Sequence, residues 1–187
     1  MSSKPDIKPG SILISKPLIG DGFFDQSVVY ITEHNDQGSL GFTLNKSSSL
    51  YLQDFIDGIE GKDRLGHGGP VEQDGLFYLH TFDTLKQTQS AGGTIHLGGD
   101  FEHLKEILME ARKAGFTDFQ CRFFLGYSGW APGQLDQEIQ QDTWIVRQQG
   151  EIEDPLRLSD SAWKNQMTEL GGEFPLWANA PSDPLLN

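Results

Sequence analysis

Apolar residues in this chain fall into short β-branched and aromatic runs punctuated by glycine, proline and polar turns, with helical spacing in a few places. SILIS (11–15) and SVVYIT (27–32) predict buried strands, separated by KPLIGDGFFDQ, which is rich in Pro, Gly and Asp. Asn35-Asp36-Gln37-Gly38 is turn chemistry, and the alternation in GSLGFTLNK beyond it makes 27–46 a hairpin. Leu52, Phe55, Ile56 and Ile59 share the i, i+3, i+4, i+7 spacing of one helix face, with Ser47 to Ser49 available as caps. The spacing therefore predicts a helix there. GKDRLGHGGPVEQDG (61–75) is too glycine-rich for either element, and LFYLHTF (76–82) follows as a strand.

Asp100 is the predicted N-cap of FEHLKEILMEARKA, where Phe101, Leu104, Ile107, Leu108 and Ala111 line one face and Gly115 ends the helix. FQCRFFLGY (119–127) reads as a strand, Pro132 to Gln141 as a short helix, and TWIVRQQ (143–149) as a strand. A last helix, capped by Ser159 or Asp160, carries Trp163, Met167 and Leu170 and stops at Gly171-Gly172. Helices mixed with hairpin-like strand pairs predict an α+β domain over 1–171. Residues 172–187 form a proline-rich tail without periodicity, read as extended or disordered, with Phe174 and Trp177 available to dock it.

Composition narrows the function classes. A net charge of -13 repels phosphate backbones, and the 14 Lys and Arg are scattered, so direct nucleic-acid binding is disfavoured. Cys121 is the single cysteine, which excludes an intramolecular disulfide and suits a reducing compartment. MSSKPDIKPG has no apolar signal core, and no window is long and apolar enough to span a bilayer. The expectation is a soluble cytoplasmic protein.

The stretch LGYSGWAPGQLDQEI (125–139) invites a nucleophilic-serine reading of Ser128. A nucleophile elbow needs G-x-S-x-G, however, and Trp130 occupies the second glycine position. The last histidine is His103, so no triad histidine follows the serine. The alternative is a tight strand-to-helix turn, with Gly126 and Gly129 supplying the bend and Pro132 opening a helix whose Leu135 and Ile139 lie beneath Trp130. Such a turn can also present backbone N–H groups to an anion.

Phosphate-binding glycine motifs are missing, so no cofactor is expected. The five histidines, His34, His67, His80, His96 and His103, include no H-E-x-x-H or H-x-H pair. A metal would need His34, His67 and His80 to converge, and none is expected. In HGGPV (67–71) two glycines bring the backbone close to either a ligand or another strand.

GSILISKPLIGDGFFDQSVVYITEHNDQGSLGFTLNK, GHGGPV, GLFYLH and LGYSGWAPGQLDQEI with Trp144 occur in an order that resembles the AlgH/YqgE family, over most of residues 10–171. The resemblance implies an α+β fold of coiled and bifurcated, mostly antiparallel β-sheets flanked by about four helices. Some members of that family carry the label of transcriptional regulator, and no catalytic residue, cofactor or substrate comes with it.

Together these readings make the expected protein a regulator without catalytic activity, acting indirectly through a partner protein or small molecule. Candidate ligand-binding residues are Asn45, His67, Gly68, Gly69, Pro70, His80, Gly126, Tyr127, Ser128, Gly129, Trp130 and Gln134. One alternative is an enzyme with a pocket between the 67–71 loop and the 126–134 turn, using His80, Glu33 or His34 as acid or base. The other is a structural or oligomerisation subunit.

Overall fold

The computed structural model describes residues 5–17, 22–59, 63–115 and 121–178. Ten strands and four helices lie within them: β1 (Ile12–Ser15), β2 (Val28–Asn35), β3 (Gly38–Thr43), β4 (Ser47–Tyr51), β5 (Arg64–His67), β6 (Val71–His80), β7 (Gln89–Ser90), β8 (His96–Leu97), α1 (Phe101–Lys113), β9 (Cys121–Trp130), α2 (Gln134–Gln140), β10 (Trp144–Arg147), α3 (Ala162–Leu170) and α4 (Phe174–Ala178). The strands run in the order β10-β1-β2-β3-β9-β6-β8-β7, with β4 and β5 branching away from that path. All pairings are antiparallel except β5 with β9.

Strand β9 is where the sheet forks. Leu40 of β3 sits opposite Gly129, while Gly66 and His67 of β5 sit opposite Phe124 and Leu125. Strand β6 meets the same strand from Cys121 to Leu125, and again at Tyr127 after a register shift between Val71 and Leu76. Gly126, at φ +67, occupies the irregularity, and its carbon faces the Val71 and Gly69 carbonyls too closely for a side chain.

The uninterrupted apolar runs follow from burial on both faces. Ile12 and Ile14 join Val28, Tyr30, Phe42, Phe124, Trp163 and Met167 beneath α3. Leu13, facing the other way, packs with Val29, Ile31, Trp130, Leu135 and Trp144 beneath α2. A third cluster, including Leu65, Tyr78, Phe123, Leu104 and Leu108, lies under α1. Trp163 Nε1 donates to the Ser15 carbonyl at 2.8 Å, fastening α3 to β1. Asp100 caps α1 as expected, its carboxylate accepting from the His103 N–H at 3.1 Å.

Five local expectations give way to tertiary pairing. The predicted helix over 52–59 is a single 3-10 turn at Leu52–Asp54, and Ser47 to Ser49 belong to β4, which pairs with β5. Leu52, Ile56 and Ile59 are buried against α1 while Phe55 is exposed, so the apolar spacing is satisfied without a helix. Residues 61–75, expected to hold neither element, contain β5 and the start of β6 among their described positions. The strand before α2 runs on to Trp130, so the sharp turn expected at Gly126–Gly129 is a bulged strand, and the bend falls at Ala131–Gly133. Asp160 bonds to Ser47 Oγ at 2.6 Å, leaving Ser161 at the head of α3. The tail continues as α4 to Ala178, with Phe174 packed on the main core; the rest of it lies outside the described residues.

Candidate functional site

The HGGPV and LGYSGW segments meet backbone to backbone. The Gly68 N–H donates to the Leu125 carbonyl at 2.9 Å, and its own carbonyl accepts from the Thr43 N–H at 2.8 Å. Ser128 Oγ donates to that carbonyl at 2.9 Å, and Thr43 Oγ1 lies 3.5 Å from Ser128 Oγ. A carbon added to Gly69 would lie 2.0 Å from the Tyr127 carbonyl group. The two glycines therefore serve the approach of another strand, and Ser128 is fully buried with a hydroxyl already engaged.

The other candidates separate by location. Asn45 is 5% exposed, accepting from the Val28 N–H at 2.7 Å and donating to the Gln26 carbonyl at 2.8 Å. It ties the start of β2 to the end of the hairpin. His67, Pro70 and Gln134 are exposed, Gln134 accepting from the Ala131 N–H at 3.0 Å. His80 lies opposite Cys121, at the far end of β9 from Trp130, so it joins none of them. His34 bonds to Ser39 Oγ at 2.7 Å and faces Asp136. His34, His67 and His80 thus sit on three strands, and no group of three metal-ligating side chains occurs among the described residues.

A groove of about 330 Å³ opens where β6 diverges at Val71. Tyr127, Gly129 and Trp130 of β9 form one wall, and Glu33, Leu40 and the hairpin tip supply the other. Glu33 was legible as a candidate acid or base, but the hairpin tip and Leu40 beside it were not legible as a wall, because β3 reaches β9 only in the folded sheet. Glu33 accepts from Asn35 Nδ2 at 2.6 Å, and the Tyr127 hydroxyl donates to Glu72 at 3.3 Å.

Behind the groove, Glu138 of α2 holds two indoles. One carboxylate oxygen accepts from Trp130 Nε1 at 2.9 Å and from Trp144 Nε1 at 2.8 Å, while the other accepts from Gln134 Nε2 at 2.9 Å. Phe24 stacks on Trp130 at 5.7 Å and meets Trp144 edge-on. This clamp escaped the sequence reading, although Glu138 lies four residues after Gln134 between two tryptophans.

The pattern of residues that defines the AlgH-like family matches positions 12–175. The chain belongs to the AlgH-like family. A UPF0301 protein of Cytophaga hutchinsonii is 40% identical over 182 residues, covering 95% of this chain and 98% of the relative. One from Bacteroides thetaiotaomicron is 33% identical over 180 residues, covering 95% and 90%. Among solved structures, the AlgH protein from Pseudomonas aeruginosa aligns with a TM-score of 0.66 at 26% identity, covering 95% of this chain and 98% of the other. A Corynebacterium diphtheriae protein aligns at 0.74 with 22% identity, covering 95% and 94%, which establishes the shared α+β fold. In this AlgH-like chain, no helix among the described residues is long and apolar enough to cross a membrane.

His80 illustrates how this fold engages its titratable groups. Its Nδ1 accepts from the Phe82 N–H at 3.1 Å, so Nε2 carries the proton donated to the Gly98 carbonyl at 2.9 Å. Protonation would set Nδ1–H against Phe82 N–H. Burial, followed by the neighbouring His96, lowers its pKa, and the Gly98 bond opposes them. The native state therefore binds fewer protons than the unfolded chain just below the usual histidine value of about 6.5. Stability should fall as pH drops through that value toward the depressed native pKa, and level off below it. Imidazole nitrogen NMR at pH ~7.5, above the usual value near 6.5, should show the neutral Nε2–H tautomer, and the ring should titrate below that usual value. A protonated ring there would overturn the assignment. Burial likewise raises the Cys121 thiol pKa, so it is not an activated nucleophile.

Proposed function

We propose that this protein is a cytoplasmic binding protein without catalytic activity, affecting gene expression indirectly through a partner protein or small molecule seated in the groove between the hairpin tip and β9. The carrying observation is an open concavity on a rigid support. Tyr127, Leu40 and Val71 offer apolar contact beside the Glu33 carboxylate, and the Trp130 wall is fixed by Glu138 and Phe24. Preorganised aromatic walls lower the ordering cost of binding.

The chemical groups nearby favour this reading over an enzyme. Ser128 bonds to a backbone carbonyl, and His80 uses both ring nitrogens on the backbone at the far end of the sheet. The charge of -13 supports an indirect role over contact with nucleic acid, and a single cysteine suits a reducing compartment.

A photo-crosslinking residue at Gln37, which is exposed at the groove, tests the reading in cells. A discrete adduct should form there and be lost when Tyr127→Ala is combined with Leu40→Asp, while a crosslinker at Lys164 on α3 yields none. Equal adducts at both positions, or none at Gln37, would overturn it. An adduct containing a chemically converted small molecule would move the assignment to an enzyme using Glu33.

A further inference from the structure

Gly129 stands apart from the glycines around it. A side-chain carbon on Gly68, Gly69 or Gly126 would meet a backbone carbonyl oxygen at 2.2, 2.0 or 2.6 Å, so the fold itself demands those three. Gly129 lies outside the left-handed region, and an added carbon would meet nothing nearer than Tyr127 Cε2 at 3.4 Å and Val71 Cγ2 at 3.7 Å. The strand has room for a side chain there, yet that side chain would stand in the groove between Tyr127 and Val71. Glycine weakens a strand and often marks the place where another backbone or a ligand comes close. No segment of this chain comes that close on this face of Gly129 among the described residues.

The register shows what lies beside this bare position. Gly129 is opposite Leu40 of β3, and Leu40 is opposite Glu33 of β2. Residues directly opposite one another share a face, and neighbouring strands are about 5 Å apart, so a slot, an apolar side chain and a carboxylate follow one another across roughly 10 Å. The charge of the groove is one-sided. Glu33 lines it and Glu72 bonds to the Tyr127 hydroxyl, while none of the described residues lining it is Lys or Arg. Glu33 Oε1 takes a neutral hydrogen bond from Asn35, which leaves the carboxylate charge and its remaining lone pairs open to a cationic donor. The volume of about 330 Å³ is near the lower end of the range for small-ligand pockets, roughly 300 to 1,000 Å³, and suits a single long side chain.

We infer that the groove receives an arginine side chain from an extended segment of a partner protein. The partner's backbone passes over Gly129 between Tyr127 and Val71, the arginine stem lies on Leu40, and the guanidinium donates to the Glu33 carboxylate. Arginine fits better than lysine because its planar fork can give a carboxylate two parallel bonds and its charge is more weakly hydrated. The net charge of -13 favours the approach of such a basic segment. This assignment rests on the groove being the binding site and names what enters it.

The test is amide NMR of the full-length, isotopically labelled protein titrated with the capped tripeptide Ala-Arg-Ala, at low and physiological salt. Peptides with citrulline, lysine or glutamate in the central place are the comparisons. Saturable shifts should centre on Leu40, Val71, Tyr127 and Gly129, with weaker binding at the higher salt. Citrulline keeps the shape of arginine without its charge and should bind about fivefold more weakly or worse. Glu33→Gln should weaken the arginine peptide about two- to tenfold. Gly129→Val fills the slot and should weaken it at least about tenfold. Equal titration by any comparison peptide, shifts spread without saturation, or unchanged affinity in either variant would overturn the proposal. Because Glu33→Gln changes one half-buried charge on the hairpin, the test remains decisive even if Gly129→Val fails to fold. A crosslinked adduct at Gln37 without binding of the arginine peptide would sink this assignment and leave the groove reading standing, whereas no adduct at Gln37 would sink the groove reading itself.

Discussion

Gly69→Ala is expected to be among the most destabilising single-methyl additions in the chain. The new carbon would lie 2.0 Å from the Tyr127 carbonyl carbon and oxygen, and 2.2 Å from the Ser128 nitrogen. These are backbone atoms of the strand on which the sheet forks, so no rotamer change can make room. Overpacking commonly costs ~1–3 kcal/mol and more where the backbone must shift. A loss of about 3 kcal/mol or more is expected, which lowers the melting temperature by roughly 6–12 °C for a chain of this size. Gly129→Ala is the control. Gly129 is exposed, and its nearest obstacle is a Tyr127 ring carbon at 3.4 Å. Its cost should stay within about 0.5 kcal/mol. Thermal unfolding of the two variants measures the difference, and equal melting temperatures would refute the close approach of HGGPV to β9.

Removal of the Glu138 carboxylate is the second large effect. In Glu138→Ala, the Trp130 and Trp144 indole N–H groups lose their shared acceptor, and both side chains are almost wholly buried. An orphaned buried donor costs ~1–3 kcal/mol, and the two costs do not add fully because they share one acceptor. A combined loss of about 3 kcal/mol is expected by chemical denaturation, with a shift in tryptophan emission. Glu138→Gln retains a carbonyl oxygen that can accept from both indoles, and should lose less than about 1 kcal/mol. An Ala variant as stable as the parent would show that water replaces the clamp. A Gln variant as damaged as Ala would show that the charge matters more than the acceptor.

These two sites also mark what the sequence revealed. The glycines of HGGPV were legible as a close backbone approach, but whether the neighbour was a ligand or a strand depended on β9, more than fifty residues away. Glu138 had no signal of its own, since the two indoles it joins stand on either side of α2 and converge only after β10 pairs with β1. The 52–59 segment failed for a related reason. Three of its four apolar residues are buried as their spacing suggests, but the preceding serines pair with β5, and that pairing takes the residues a helix would need for its first turn.

Local chemistry alone determined the buried strands at 12–15 and 28–32, the hairpin turn at 35–38, the Asp100-capped helix and the short helix beneath Trp130, because each depends on contacts within a few residues or on a continuous apolar face. It also removed Ser128 as a nucleophile, through Trp130 and the lack of a later histidine. Tertiary structure decided the fork at β9, the strands within the glycine-rich segment, the engagement of Ser128, Asn45 and His80, and the groove. Each of these is made by strands distant in sequence, and the backbone groups that find partners there are the same in every residue type, so side-chain pattern carries almost no record of the pairing.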